Sequence, residues 1–359
     1  MGAVSLGRPF VIFSRRFGRF PTVPPGRGSS VATAVQGTTD AKDLELLDKL
    51  AKARVELKHQ ISQRIVGQID VVENLVSAIL AGGHVLLIGV PGLAKTLMIQ
   101  TLAQALDMSY SRVQFTPDLM PSDITGTELL EDDGTGKKNF RFTKGPVFAN
   151  IILADEINRA PPKTQAALLE AMQEHKVTTG GKTYTLPEPF FVLATQNPIE
   201  HEGTYHLPEA QLDRFMYELT VGYPSKVEEE LIVTQTTSAY KAVIKPVLNA
   251  AEISELQQLV RRMPAPPSVV EYSVKLARST RPSEPGATPD MKKYVSYGAG
   301  PRAGQNLVLG AKARAAMDGR SVPDLDDVKS VVKQVLKHRV VMNFQAEAEG
   351  VTVNDLISI

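Results

Sequence analysis

Residues 84–96 read His-Val-Leu-Leu-Ile-Gly-Val-Pro-Gly-Leu-Ala-Lys-Thr, an apolar run followed at once by a loop with two glycines. The pattern predicts a β-strand over 85–88 that leads through the loop into a helix. Backbone N–H groups at a helix start face a phosphate, and the helix dipole favours its negative charge. In such a loop Lys95 reaches the β- and γ-phosphates and the Thr96 hydroxyl holds Mg²⁺. We therefore expect a nucleotide-binding loop at residues 89–96.

One position departs from the strict pattern. That pattern has glycine directly before the lysine, whereas this chain has Ala94. Because alanine resists positive φ, we expect Ala94 to lie in the right-handed helical region as the helix begins. Taken alone, the loop is therefore an imperfect signal.

A second apolar run, 151–154, ends in adjacent carboxylates at Asp155 and Glu156. Such a run is typical of a buried parallel strand whose carboxyl end opens on a ligand crevice. Adjacent side chains leave a strand in opposite directions, so the two carboxylates can take different roles. We assign Asp155 to Mg²⁺, through water, and Glu156 to taking a proton from the attacking water. The plainer alternative is a strand that runs into an Asp-Glu turn with no role in catalysis. The phosphate-loop pattern earlier in the chain disfavours it.

The composition limits the class of protein. The 359 residues suffice for two or three domains, and 43% hydrophobic with 22% charged residues is typical of a folded, soluble chain. No run approaches the ~20 apolar residues of a membrane-spanning helix, and we expect a cytoplasmic protein. The absence of cysteine excludes disulfides, thiolate chemistry and cysteine-based zinc sites. The six histidines show no metal-ligand spacing.

Charge is distributed unevenly along the chain. Residues 1–40 contain five arginines and one acid, whereas the remainder carries 35 basic and 38 acidic side chains. The body is therefore not a basic nucleic-acid binder by charge alone. We expect residues 1–39 to form a disordered tail rich in Arg, Pro and Gly. An organellar transit peptide and an over-extended start are the alternatives; a secretory signal is disfavoured because Phe10–Phe13 is too short for its apolar region.

Strand and helix patterns alternate up to about Ser225. Helices are predicted near 40–60, 69–81, 96–106 and 161–174, strands at 85–88, 111–115, 151–154 and 190–195, and hairpins at 127–143, around Asp133-Gly134, and 176–186, around Gly180-Gly181. Beyond Ser225 only helices are predicted, at 226–240, 250–262, 268–279, 302–318 and 324–340. We therefore expect an α/β fold, with a parallel sheet over 40–224 and a separate α-helical domain over 225–359.

Further segments carry a resemblance to a known family. They occur in order along the chain: Gly89–Thr96, Ala154–Ala160, Ala194–Pro198, Pro208–Phe215 and Gly300–Ala303. Together with the lead-in over 40–82 they resemble the MoxR family of AAA+ ATPases, across roughly residues 40–355. The two hairpins are similar to those of the helix-2-insert clade, which also includes the MCM helicases and the ATPase subunit of magnesium chelatase. Relatives such as the MCM helicases look similar at the alanine before the P-loop lysine.

The resemblance implies a P-loop NTPase core and a small helical lid that convert ATP and water to ADP and phosphate, with Mg²⁺. It implies that Asn197 is sensor 1, that Arg214 is an arginine finger acting in trans, and that Arg302 is sensor 2. The implied nucleotide-contacting residues are Val66, Gly67, Gln68, Gly89, Pro91, Gly92, Leu93, Ala94, Lys95, Thr96, Leu97 and Arg302. Plainer alternatives are a turn residue at Asn197, a solvated helix end at Arg214 and a surface ion pair at Arg302. Arg159 also lies close enough in sequence to Glu156 to compete for an electrostatic role.

Four functional hypotheses follow. The resemblance implies a homo-oligomeric ring, a hexamer, that remodels protein clients and has partners with von Willebrand factor A domains. A nucleic-acid motor is the second, because basic side chains lie on or near the hairpins, namely Lys137, Lys138, Arg141, Lys144, Lys176 and Lys182. The slightly acidic body and the acids at 131–133 argue against it. An ATPase subunit of a metal chelatase is the third, and a nucleotide-switched scaffold without hydrolysis is the fourth. The presence of Glu156 and Arg214 argues against the scaffold.

Overall fold

The computed structural model describes residues 40–132, 138–198, 204–239 and 242–357. The predicted tail at 1–39 and the predicted Asp133-Gly134 turn lie outside these residues. The strands are β1 (Val85–Ile88), β2 (Tyr110–Gln114), β3 (Gly126–Asp132), β4 (Lys138–Lys144), β5 (Ile151–Asp155), β6 (Lys176–Thr179), β7 (Lys182–Thr185), β8 (Phe191–Gln196), β9 (Tyr217–Thr220), β10 (Val295–Tyr297) and β11 (Val341–Met342).

Helices surround the strands in the described part of the chain. They are α1 (Ala41–Ser62), α2 (Ile69–Ala81), α3 (Lys95–Ala105), α4 (Pro121–Thr125), α5 (Pro162–Glu174), α6 (Glu209–Leu212), α7 (Lys226–Thr236), α8 (Ala250–Arg262), α9 (Pro267–Ser279), α10 (Pro289–Tyr294), α11 (Pro301–Met317), α12 (Leu325–Leu336), α13 (Phe344–Glu349) and α14 (Val353–Leu356). No helix among the described residues is both long and apolar enough to cross a membrane.

A five-stranded parallel sheet lies at the centre, in the order β2-β5-β8-β1-β9. Strand β5 is buried along its whole length, and β1 and β8 are buried up to their last residues. Their runs are continuously apolar because helices cover both faces of the sheet. The predicted α/β fold with a parallel sheet is confirmed. Strand β9 was missed because it has four residues, two of them polar.

The region after Ser225 packs directly against the sheet. Helix α11 contacts α9, α12 and α2. A side chain at Gly310 of α11 would collide with the hydroxyl of Tyr217 on β9, so only glycine allows this close approach. The same hydroxyl lies 3.2 Å from Ser77 Oγ on α2. The helices therefore share one hydrophobic core with the sheet.

The prediction that strands end near Ser225 was wrong. Strands β10 and β11 form a small antiparallel pair among the later helices. They contain three and two residues, which is too short for an alternating pattern to be recognised in a sequence.

Both predicted hairpins are present, as the antiparallel pairs β3-β4 and β6-β7. Phe142 of the first hairpin stacks on Tyr184 of the second, with ring centroids 4.1 Å apart. The Glu128 carboxylate lies against Gly180 in the turn of the second hairpin. The two hairpins therefore pack into one unit, which we call the hairpin pair.

Candidate active site

The predicted phosphate loop joins the carboxyl end of β1 to the start of α3. Gly92 and Ala94 both have positive φ, at +86° and +55°. The prediction that Ala94 lies in the right-handed helical region was wrong, because this loop needs a left-handed residue immediately before α3. For a non-glycine residue that conformation costs about 1–2 kcal/mol. The loop geometry therefore overrides the local preference of alanine.

Lys95 is half-buried beside the loop, and its ammonium donates to the Gly89 carbonyl over 2.5 Å. Burial lowers the pKa of Lys95, while the charges of Asp155 and Glu156 act in the opposite direction. Only β8 separates β1 from β5 in the parallel sheet, so the predicted loop and the predicted carboxylate pair follow strands that end at the same edge. Thr96 follows Lys95 in the first turn of α3.

Asp155 ends β5 with both carboxylate oxygens engaged. Oδ1 accepts from the Thr195 hydroxyl over 2.6 Å. Oδ2 accepts from Arg112 twice, from Nε at 3.1 Å and from Nη2 at 2.6 Å. The side chain of Asp155 is only 12% exposed, so these contacts fix its position. The sequence reasoning missed Arg112 and Thr195.

Glu156 leaves the strand rather than continuing it. Its φ is +57°, so the expected strand alternation ends at Asp155. The Glu156 N–H donates to Thr195 Oγ1 over 2.8 Å, which holds this strained backbone in place. Its carboxylate accepts from Gln114 Nε2 at 2.8 Å and lies 3.2 Å from Arg159 Nε. Arg159, which lies close to Glu156 in the sequence, therefore contacts the Glu156 carboxylate directly.

Arg112 and Gln114 reach the carboxylates from β2, the edge strand next to β5. Residues two apart on a strand share a face, and the register sets Gln114 opposite Asp155. In the sequence of β2, Arg112 and Gln114 stand on either side of the apolar Val113. That spacing could have indicated that both polar side chains lie on one face of the strand.

Asn197 directly follows β8 and is buried. Strand β8 lies between β1 and β5, so Asn197 leaves the sheet at the same edge as the phosphate loop and the acidic pair. The structure therefore brings the loop, Lys95, Asp155, Glu156 and Asn197 to one end of the parallel sheet.

The predicted residues before α2 lie against the segment that follows β9. Gln68 Nε2 donates to the Gly222 carbonyl over 3.0 Å. Gly67 has φ of +66°, and a side chain there would collide with the carboxylate of Glu228 at the start of α7. Gly222 and Glu228 were missed by the sequence reasoning. Leu93 and Leu97 are partly buried against the main hydrophobic core.

Arg214 and Arg302 lie at the opposite end of the sheet. Residues 213–216 precede β9, and the Met216 N–H donates to the carbonyl of His84, the residue before β1. The phosphate loop follows the other end of the four-residue β1, at roughly 13 Å along the strand. Arg302 Nη1 is 3.5 Å from Asp213 Oδ2. The structure thus does not bring either arginine to the phosphate loop of its own chain.

A large cleft contains both arginines. It has a volume of about 1180 Å³, and its basic side chains are Arg214, Arg261, Arg278, Arg281 and Arg302. The acids on its wall include Glu174 and Asp213, so cations outnumber carboxylates. The cleft is therefore suited to an anion.

The residues at the loop end fit Mg²⁺. The Thr96 hydroxyl and the Asp155 carboxylate are hard oxygen donors of the kind that Mg²⁺ takes alongside phosphates. Asp155 Oδ2 already attracts a cationic group, the Arg112 guanidinium. When bound, Mg²⁺ would neutralise phosphate charge at this position.

Comparisons with known proteins agree with this geometry. Residues 84–217 match the profile of the ATPase family associated with various cellular activities, and residues 290–358 match that of an AAA lid domain. The chain is 43% identical to Chaperone MoxR1 of Mycobacterium tuberculosis over 83% of its own length and 78% of the relative. The chain belongs to the MoxR family. Protein MoxR of Methylorubrum extorquens is 31% identical over 80% of this MoxR-family chain and 87% of that relative.

A solved structure shows the same fold. The crystal structure of a candidate ATPase from Cytophaga hutchinsonii has a TM-score of 0.80 and 41% identity to this MoxR-family protein, and covers 89% of this chain and 96% of that chain. The resemblance deduced from the motifs is confirmed. The protein is a nucleotide-binding, chaperone-like AAA+ ATPase of the MoxR family.

Proposed function

We propose that this MoxR-family ATPase acts as a homo-oligomeric ring in which Arg214 and Arg302 of one subunit complete the ATP site of the next. The observation that carries the proposal is their position at the end of the sheet opposite the phosphate loop. A basic cleft at that end suits the phosphates bound by a neighbour. Six subunits is the number that the family resemblance implies. In this proposal residues 40–224 are the ATPase core and 225–359 the lid.

Within one subunit, the residues at the phosphate-loop end of the sheet would each have a separate role in ATP hydrolysis. Lys95 would hold the β- and γ-phosphates, and Thr96 and Asp155 would hold Mg²⁺. Glu156 would take the proton of the attacking water, and Asn197 would orient that water. Arg214 from the neighbour would stabilise charge on the transferring phosphoryl group, an effect worth about 10³–10⁵ in rate.

The hairpin pair favours a protein client over nucleic acid. Leu130 and Phe140 face each other across β3-β4, and they are 52% and 68% exposed. They lie two residues from Glu128 and Phe142, on the same face of the hairpin. Exposed apolar side chains beside carboxylates suit an unfolded polypeptide and disfavour a phosphate backbone. By family resemblance, partners would carry von Willebrand factor A domains, and the protein would act in the cytoplasm.

The test uses Glu156→Gln as a trap, because this variant should bind ATP and turn it over slowly. The variant is purified from native lysate with ATP, and its companions and assembled mass are determined. The matched control carries Lys95→Ala as well, so only companions lost in the control depend on ATP. A ring with a defined protein client supports the proposal. A ring whose ATP-dependent companion is nuclease-sensitive nucleic acid would replace it with the motor hypothesis, and a monomer would refute the composite site.

A further inference from the structure

Arg339 lies just after α12, in a short 3₁₀ turn, and its side chain is only 1% exposed. Its guanidinium makes four hydrogen bonds to one segment, residues 213–216. Nε donates to Asp213 Oδ1 over 2.7 Å, and Nη2 donates to the carbonyls of Asp213 at 3.0 Å and Phe215 at 2.6 Å. Nη1 donates to the carbonyls of Met216 at 3.2 Å and Val335 at 2.5 Å. The five N–H groups of the guanidinium thus have five oxygen acceptors, and Nη1 also lies 2.7 Å from His338 Nε2.

This arrangement depends on the planar shape of arginine. Burial lowers the pKa of Arg339, and its hydrogen bond to Asp213 acts in the opposite direction. A buried charge is tolerated only when it is paired and hydrogen-bonded. Lysine offers three donors from a single point and cannot reach the same set of oxygens. The contacts of Arg339 therefore specify the conformation of the segment as well as satisfying a charge.

Asp213 joins two arginines. Its Oδ1 accepts from the buried Arg339, and its Oδ2 lies 3.5 Å from the half-exposed Arg302. Arg214 stands between Asp213 and Phe215, and the backbone carbonyls of both neighbours are bonded to Arg339. Arg214 and Arg302 thus have one common support in the structure.

We propose that Arg339 is a positioning residue for ATP hydrolysis in the neighbouring subunit. It holds residues 213–216 so that Arg214 and Arg302 are presented together at the same face of the cleft. The inference rests on the proposed role of Arg214 and extends it to the helical region, because Arg339 follows α12.

The test compares Arg339→Lys and Asp213→Asn with Arg320→Lys. Arg320 is a matched control, because it also follows a lid helix and bonds to a carboxylate, Asp327, but within the described part of the chain it has no hydrogen bond or ion pair with residues 213–216. The kcat and KM for ATP, nucleotide affinity, assembled mass and thermal unfolding are measured for each. We expect kcat to fall on the order of 10²-fold for Arg339→Lys, since misplacement by ~1 Å has that effect. Asp213→Asn should lower kcat about tenfold, with nucleotide affinity and assembled mass unchanged in both, and Arg320→Lys should match wild type.

Mixed rings separate positioning from a purely structural role. Arg339→Lys subunits keep an intact phosphate loop, and Glu156→Gln subunits keep an intact arginine segment. Mixing them should restore part of the activity, because each can complete the other's interface. No recovery at any ratio, or a loss of nucleotide affinity, would show that Arg339 only maintains its own subunit.

The inference can fail while the proposed function stands. If Arg214→Ala is inactive but Asp213→Asn and Arg339→Lys keep the wild-type kcat, the positioning role is wrong and the arginine finger is retained. If Arg214→Ala itself keeps the wild-type kcat, the composite site is wrong. Should Arg339→Lys fail to fold, Asp213→Asn decides the question, since it is isosteric and preserves the carbonyl contacts.

Discussion

Gln114 holds the carboxylate of Glu156 from the neighbouring strand, with its amide Nε2 donating to Oε2 over 2.8 Å. This hydrogen bond occupies Oε2 of Glu156 and limits the orientation of its carboxylate, so that removing it frees the side chain to turn toward an attacking water. We expect Gln114→Ala to raise basal ATP hydrolysis by roughly threefold, about 0.7 kcal/mol in barrier, without changing ATP affinity. Steady-state ATPase assays check this, with Gln104→Ala as the control because Gln104 bonds to Arg64 away from the site. A lower rate would show that Gln114 orients the base productively.

Lys95→Ala should abolish tight ATP binding. The ammonium lies at the start of α3 beside the carboxylate pair, where it would contact the phosphates. Isothermal titration with ATP measures the affinity, and Lys52→Ala on α1 serves as a control for loss of a lysine in a surface ion pair. If Lys95→Ala still bound ATP with submicromolar affinity, the assignment of residues 89–96 as the phosphate loop would be wrong.

Arg214→Ala should bind nucleotide but fail to hydrolyse it alone. Its guanidinium lies away from its own phosphate loop, so the loss concerns the neighbouring site. Mixing with Glu156→Gln subunits should restore part of the ATPase rate, measured across a series of ratios. Absence of recovery throughout the series would argue against a finger acting in trans.

Ala94→Gly should stabilise the protein by about 1 kcal/mol, because it relieves a left-handed alanine. Ala103→Gly, within α3, should have the opposite sign and cost about 1 kcal/mol or more. Urea unfolding of both variants compares the two free energies of unfolding. Destabilisation by Ala94→Gly would mean that the greater conformational entropy of glycine in the unfolded chain outweighs the backbone strain relieved in the folded protein.

Stability should fall as pH is lowered from about 6.5 to about 4, in part because of His84. Burial is the main cause that lowers the pKa of His84 to about 4, and its ring contacts the Met172 carbonyl and the Val192 N–H. Between these pH values His84 is protonated in the unfolded chain but neutral in the folded protein. Stability therefore rises with pH across that window, and acidification removes about 3 kcal/mol of it at most.

Urea unfolding at several pH values measures the slope of stability against pH. His84→Gln should flatten that slope. Part of the slope should remain, because burial also lowers the pKa of His338. His59→Gln, at the exposed end of α1, should leave the slope unchanged. An equal slope in His84→Gln and wild type would show that His84 is not the group responsible.

The sequence was informative wherever chemistry is local. The phosphate loop and the Asp155-Glu156 pair each occupy a few consecutive residues whose types follow from phosphate and Mg²⁺ chemistry, so they could be recognised directly. Contacts such as Arg112 with Asp155 and Arg339 with Asp213 join residues 43 and 126 positions apart. No local pattern encodes such contacts. At Ala94 the demands of the loop outweighed an intrinsic backbone preference, and strands such as β10 are too short to show a period.

The stacking of Phe142 on Tyr184 has a mechanical consequence. The two hairpins flank β5 in the chain, and short connections at 145–150 and 186–190 join them to β5 and β8. At their other ends those two strands lead to Asp155, Glu156 and Asn197. The aromatic contact therefore closes a ring of chain between the two hairpins and the amino ends of β5 and β8, so that a rotation of one hairpin about its connection would also displace the other.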